Sequence, residues 1–448
     1  MQDPESGEAL AGTPTELRIS ITIYRGWVVA VAAALTGLVF GILYIWSVVR
    51  AGIPVSWGWS KADMALPYSI MCAFFAITMI PAGRLQDRFG PRPAILLGGV
   101  LAGLGCVISG LGGSSLTAYI LGFGVVTGSG VGFGYAATTP ASIKWFPPHR
   151  TGLIAGIVVA GFGLAPVVLA PLSAWLLSLF ASTNAQGVVE QGVSQTMIAL
   201  GLLTWVVVGG LSFFVHNPPE GLAAQAPQAT GKAARPSRAE FSWRPMLRTA
   251  QFWLLFVMYF LGAAAGLTFI SVASDLGKHA LGSLAFLVVV VLAVGNSSGR
   301  VVTGMLSDRI GRQWTLLAEF VCQALVVTAL YVISGRESPW PVILVVVFLL
   351  GFNYGTNLAV FPAVCKDYFG LRNFGLNYGC LFAAFGTAGL VMPWLNGFIE
   401  DRTGSSDLSY AIIVGMLALA ALLAVVSRLV GRPAGPPERV PSTSEGTG

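Results

Sequence analysis

Apolar residues along this chain fall into long blocks separated by shorter polar stretches. Twelve uncharged or nearly uncharged runs recur, at roughly residues 25–48, 63–83, 93–113, 116–139, 151–178, 195–215, 250–273, 281–305, 314–334, 340–363, 376–398 and 408–430. Each is close to the roughly 20 residues that a helix needs to cross the hydrocarbon core of a bilayer. The pattern predicts twelve transmembrane helices. The first run is too long for a signal-peptide core, so residues 1–24 are expected to stay as an N-terminal segment. The longest internal polar stretch, residues 216–249, is rich in Ala, Pro and Arg. It separates six runs in residues 25–215 from six in residues 250–430. Residues 431–448 are rich in Pro, Gly and Ser, the composition of a disordered tail.

Composition agrees with this reading. Of 448 residues, 55% are hydrophobic and 10% charged, where a soluble domain carries about 25% charged residues. The basic residues then set an orientation. With both termini placed inside, Arg50, Lys61, Lys278, Arg336 and Arg402 fall on the outer side and Arg300 falls within a run. Every other Lys and Arg falls on the inner side. Positive residues stay cytoplasmic, so both termini are expected in the cytoplasm, with the chain in a plasma membrane (a bacterial inner membrane) and lipid around it. The net charge of +6 then reflects topology and gives no support to nucleic-acid binding. A monomer is expected.

Two motifs repeat at equivalent places. Gly83 to Arg92 reads GRLQDRFGPR, between the second and third runs, and Gly304 to Gln313 reads GMLSDRIGRQ, between the eighth and ninth. Their shared positions are Gly83, Asp87, Arg88, Gly90 and Arg92 in one copy, and Gly304, Asp308, Arg309, Gly311 and Arg312 in the other. A second pair, KWFPPHRTGLIAG (Lys144 to Gly156) and KDYFGLRNFGLNYG (Lys366 to Gly379), follows the fourth and tenth runs. These pairs resemble the inter-helix signature of the major facilitator superfamily, over nearly the whole chain. The resemblance implies an all-α membrane protein of two pseudo-symmetric six-helix bundles, with a midplane site served by rocking alternating access. The glycines are expected to permit a tight turn and close helix approach. Asp87 and Asp308 are expected to accept hydrogen bonds from helix N-termini or neighbouring Arg residues, latching the inner side.

A narrower resemblance lies in PMLRTAQFWLLF (Pro245 to Phe256), HNPPEG (His216 to Gly221) and KWFP (Lys144 to Pro147), which are similar to segments of the oxalate:formate antiporters. The bacterial and animal monocarboxylate transporters are related to these. In those families the eighth span carries an arginine preceded four residues earlier by Asp or Asn, and Asn296 and Arg300 match. Arg300 is unusual on its own terms: it lies in an apolar run, eight positions before Asp308, about 12 Å along a helix. An intramembrane cation costs about 2.5–3.5 kcal/mol or more and is usually accepted for function. Almost all the acidic residues fall in tails or loops. Glu319 is expected to pair with Arg309 and Arg312 near the cytoplasmic end of the ninth span, and Asp275 lies at the outer end of the seventh, too far for a static pair with Arg300. The missing counter-ion is therefore expected to be a small carboxylate substrate, which a guanidinium fork matches bidentately.

The same resemblance supplies the rest of the expected pocket. Tyr44 and Trp46, Tyr135, Phe162, Tyr354, Phe382 and Phe385 fall at or near cavity-facing aromatic positions. Asn296 shares a helix face with Arg300, and Asn357 is a further polar candidate. Oxalate-carrying relatives have lysine where Phe385 stands, and animal lactate carriers have a lysine in span one that is also missing. One cation fits one carboxylate, so lactate- or pyruvate-like acids are preferred to oxalate. For a coupling proton the expected group is Asp275, because the acid of the animal carriers is Asn296 here. Exchange of two anions is the rival, and a transporter-like nutrient sensor a third reading. GSGVGFG (Gly128 to Gly134) does not fit a phosphate loop and reads as close helix packing. The five cysteines lack metal spacing, and no Walker motif or catalytic triad is seen. No cofactor, metal or enzymatic activity is expected.

Overall fold

A computed structural model of the protein describes residues 14–146, 151–183, 189–218, 240–334, 339–370 and 373–433. Most of the N-terminal segment, most of the 216–249 linker, His149, Arg336 and most of the tail lie outside this set. So do the side chains of Asp87 and Lys278.

Among the described residues, twelve helices are long and apolar enough to cross a membrane: Tyr24–Ala51, Lys61–Gln86, Pro91–Leu111, Leu116–Ile143, Gly156–Leu179, Val193–Ser212, Ala250–Leu276, Phe286–Ile310, Arg312–Val332, Trp340–Phe369, Leu376–Thr403 and Asp407–Val430. We number them spans one to twelve. They form two pseudo-symmetric six-helix bundles, spans one to six and seven to twelve, and the chain is a multi-pass membrane protein. Spans one and twelve have their chain-terminal ends on the same side, called here the terminal end; the other is the far end. Two antiparallel strands of two residues each, Ser182–Thr183 and Val189–Glu190, pair between spans five and six at the far end.

Local chemistry sets where these helices start and stop. Span two begins with a reciprocal cap: Ser60 Oγ accepts from the Asp63 backbone N–H, and the Asp63 carboxylate accepts from that of Ser60. Gly90 (φ 84°) and Gly311 (φ 95°) end the helices of spans two and eight in the left-handed region, which explains the last glycine of each motif copy. The expected close approach at Gly83 and Gly304 is not found. Space is open around both, because no neighbouring span is drawn against them at the terminal end.

Close approach occurs elsewhere. On spans eight and ten, Gly295, Gly299, Gly351 and Gly355 alternate so that each would drive an added methyl into a backbone carbonyl of the other span. This zipper fixes the helix that carries Arg300. GSGVGFG behaves as expected: a methyl on Gly130 would strike Ala102, one on Gly132 would strike Thr78, and one on Gly134 the ring of Phe40.

The bundles meet along spans two and eleven, where Gly386, Gly389 and Gly397 lie against Ala76, Cys72 and Lys61. At the far end Asp401 of span eleven accepts from the backbone N–H groups of Lys61 and Ala62, both 2.8 Å, capping span two from the opposite bundle. Lys61 Nζ lies 3.7 Å from Glu400 and Arg50 Nε 3.5 Å from Asp275, two further bridges between the bundles. The far end is closed.

At the terminal end the repeated segments anchor their own bundle. Trp145 donates to the His216 carbonyl (2.8 Å) and Lys144 to Asn217 (3.3 Å), so the KWFP and HNPPEG segments touch. Arg92 covers the Phe213 ring at 4.2 Å, and Arg88 that of Phe89 at 5.2 Å. In the other bundle Asp308 pairs with Arg312 at 2.6 Å. Arg312 Nε donates to Asp367 of span ten at 3.2 Å, and Arg312 also bonds Ser307. Arg309 is exposed.

Candidate functional site

The site is built where spans one, five and eight cross. Span one tightens into a 3-10 turn over Gly41–Ile45 before the α-helix resumes at Trp46. Gly41 at its start presses on Ala165 and the Phe162 carbonyl of span five. The turn carries Tyr44 inward. On span eight, Arg300 Nε donates to Asn296 Oδ1 one turn back (3.1 Å), and the guanidinium reaches across to the other bundle, where Nη1 donates to the Val159 carbonyl (3.1 Å) and Nη2 to the Tyr44 hydroxyl (3.3 Å). Arg300 is 8% exposed, and among the described residues no Asp or Glu forms an ion pair with it. Three neutral acceptors orient the guanidinium without cancelling its charge, and it has more donors than they use.

Aromatic rings from both bundles continue from this point. Tyr44 meets Phe162 edge-on (centroids 5.4 Å), Phe162 meets Tyr135 (4.7 Å), and Tyr135 meets Phe75 of span two (5.4 Å). Phe75 contacts Phe382 (5.5 Å) and Phe385 (6.2 Å) of span eleven, which stack on each other at 4.6 Å. Phe385 then reaches Tyr354 of span ten at 6.3 Å. The structure thus brings together Arg300, Asn296, Tyr44, Tyr135, Phe162, Tyr354, Phe382 and Phe385.

Two polar atoms here lack a partner among the described residues. Asn296 Nδ2 and Ser297 Oγ are buried without a hydrogen bond. Each such group costs about 1–3 kcal/mol unless a ligand or water satisfies it. Both can donate, the property an anion requires. Gly163 keeps the approach open: a methyl there would lie 2.7 Å from Ser297 Oγ and 3.5 Å from Arg300 Cζ.

Three expectations change, and a fourth residue, Asp275, gains a partner. Trp46 does not join the pocket: it stacks on Phe123 (4.8 Å) and donates to the Met64 carbonyl inside its own bundle. Two residues on from Tyr44, it points the opposite way. Asn357 turns from Arg300 to donate to Glu319 Oε1 at 3.1 Å. Glu319 does not meet Arg309 or Arg312; it is 4% exposed, and Arg312 is taken by Asp308 and Asp367. Asp275 meets Arg50, a residue with 3% exposure, across the far end. Sequence reasoning also missed Phe75, whose neighbour Phe74 gives the same local signal, and the Val159 carbonyl, which has none.

A twelve-span helical bundle with an uncompensated arginine between two repeated halves defines a membrane transporter. The chain belongs to the Major Facilitator Superfamily, whose family model matches residues 27–336 and 267–447. Among known proteins it is 26% identical to the oxalate:formate antiporter of Oxalobacter formigenes, over 91% of this chain and 93% of that one. To monocarboxylate transporter 11 of Mus musculus it is 28% identical, covering 86% and 84%. The fold is similar to that of the xylose transporter XylE from E. coli in a partially occluded inward-open conformation, with a TM-score of 0.67 at 14% identity, covering 92% and 99%.

Proposed function

We propose that this protein is a secondary transporter of small monocarboxylates of the lactate or pyruvate kind, moving them by alternating access with a proton. The observation that carries the reading is Arg300, a buried cation held by neutral acceptors, with orphaned donors beside it and, among the described residues, no carboxylate paired to it. The substrate carboxylate completes the charge balance by engaging the free edge of the guanidinium. The aromatic wall accepts a short apolar remainder and offers no second cation, because Phe385 stands where a lysine would serve a dicarboxylate. Both termini lie in the cytoplasm, by the distribution of basic residues. The far-end bridges are those of a state closed toward the outside. The names of the two relatives support a carboxylate class.

Exchange of organic anions is a second reading, favoured by Asn296: the residue that orients Arg300 cannot carry a proton. Counterflow of labelled lactate, pyruvate, formate and oxalate in proteoliposomes, with and without a pH gradient, tests both. Proton-driven accumulation of lactate or pyruvate above equilibrium is expected. Uptake that requires a preloaded counter-anion and ignores pH would favour exchange.

A further inference from the structure

Span nine holds a carboxyl group that the substrate site does not use. Glu319 lies seven positions into Arg312–Val332, about 10 Å from the terminal end at helical rise. On neighbouring span eight Arg300 lies ten positions from Ile310, about 15 Å and so roughly one turn deeper. Its Oε1 accepts from Asn357 Nδ2 at 3.1 Å, while its Oε2 has no partner. Asn357 Oδ1 is likewise buried without a donor. Two acceptors are thus orphaned on two side chains already joined through their other atoms. An ionised carboxylate leaves both unsatisfied and a charge uncompensated. One proton on Oε2 removes the charge and supplies a donor, since an acid and an amide can each give one hydrogen bond and accept one. Gln323, one turn along on the same face, is also buried with both amide atoms free, a polar setting in which water could carry the proton.

Among the described residues the surroundings hold no competing charge partner. On span eight, Arg300 is bonded to Asn296, Val159 and Tyr44, and Asp308 to Arg312. On span ten, Asp367 pairs with Arg312, while Tyr354 and Cys365 are buried elsewhere on that helix. Span twelve gives Arg428, which covers Trp314 at 4.4 Å, and Tyr410 beside Tyr331. Span seven approaches at Gly262, with Tyr259 stacked on Phe361. Among the described residues none of these bonds Glu319. Asn357 follows Gly355 by two positions, and Gly355 packs against the backbone of Asn296 and Arg300. The carboxyl on span nine and the arginine on span eight therefore both bear on span ten.

We propose that Glu319 is the proton-carrying group, protonated against Asn357 in the far-end-closed state, and that span ten couples its proton to the anion on Arg300. The inference rests on the monocarboxylate reading above. One proton binds Glu319 Oε2 and one carboxylate binds Arg300; both leave on the side to which the site opens, and no covalent bond is made or broken. Asp275, ion-paired with Arg50, then serves the far-end closure.

The test uses the full-length protein in proteoliposomes. Wild-type counterflow of labelled lactate or pyruvate at equal pH comes first, because its absence would refute the substrate reading itself. With exchange established, an inward gradient of one pH unit should drive about tenfold accumulation for one proton per anion. Glu319→Gln should keep exchange and lose that accumulation. In parallel, infrared spectra of the wild type should show a buried protonated carboxyl band that is missing from Glu319→Gln, whether or not the variant transports. Accumulation by Glu319→Gln equal to wild type would overturn the proposal. So would an unchanged carboxyl band, or accumulation driven by a sodium gradient in place of the pH gradient.

Discussion

Replacing Asp275 with Asn tests the far-end closure. Arg50 is 3% exposed, its Nε lies 3.5 Å from Asp275 Oδ2, and Nε and Nη1 have no hydrogen bond of good geometry. At an effective dielectric of about 20, that separation gives a gross attraction of about 5 kcal/mol. Desolvation of Arg50 and water around the quarter-exposed Asp275 reduce the net value to about 2 kcal/mol. The pair forms between bundles, so its loss falls on the far-end-closed state, and the open-to-closed ratio should rise about 30-fold. Spin labels at Val55 and Leu408, both exposed near the far end, report this by electron resonance as a shift toward longer distances. Arg50→Gln combined with Asp275→Asn should recover part of the closed population, because the stranded cation is gone. An unchanged distance distribution in Asp275→Asn, or a double variant that opens further, would refute the reasoning.

Two further outcomes follow from the packing and the aromatic wall. Gly355→Val places a branched side chain against the Asn296 carbonyl; it should lower thermal stability and lactate affinity together, measured by melting and binding on the same preparation, and an unaltered melting temperature would contradict the zipper. Phe385→Lys adds a cation within the ring cluster beside Tyr354, so oxalate should compete measurably against labelled lactate while lactate itself binds more weakly. No change in that competition would remove the argument against oxalate.

Much of this was readable from the sequence because the bilayer imposes a length rule that local composition obeys. The twelve spans follow from apolar runs, and Arg300 with Asn296 from a lone cation and a one-turn spacing. Contacts between bundles have no such local signature. Asp275 and Arg50 are brought together only when spans one and seven dock, and no pattern in either run encodes the partner. Glu319 was misread for the same reason: proximity in sequence to Arg309 and Arg312 suggested a pair, whereas the span turns its carboxyl inward to span ten and leaves Arg312 to Asp308 and Asp367. The 3-10 turn in span one explains Tyr44 but is not written in GILYI, whose residues suit an ordinary helix equally well.

The central claim is that Arg300 holds the substrate carboxylate. Calorimetric titration of lactate and pyruvate into purified wild type, Arg300→Lys and Arg300→Ala, each shown to be folded by size exclusion, tests it most directly. Lysine keeps the charge but not the planar fork, so affinity should fall more than about tenfold, roughly 1.4 kcal/mol. Alanine should abolish measurable binding. Wild-type affinity in folded Arg300→Ala would place the site elsewhere and contradict the account.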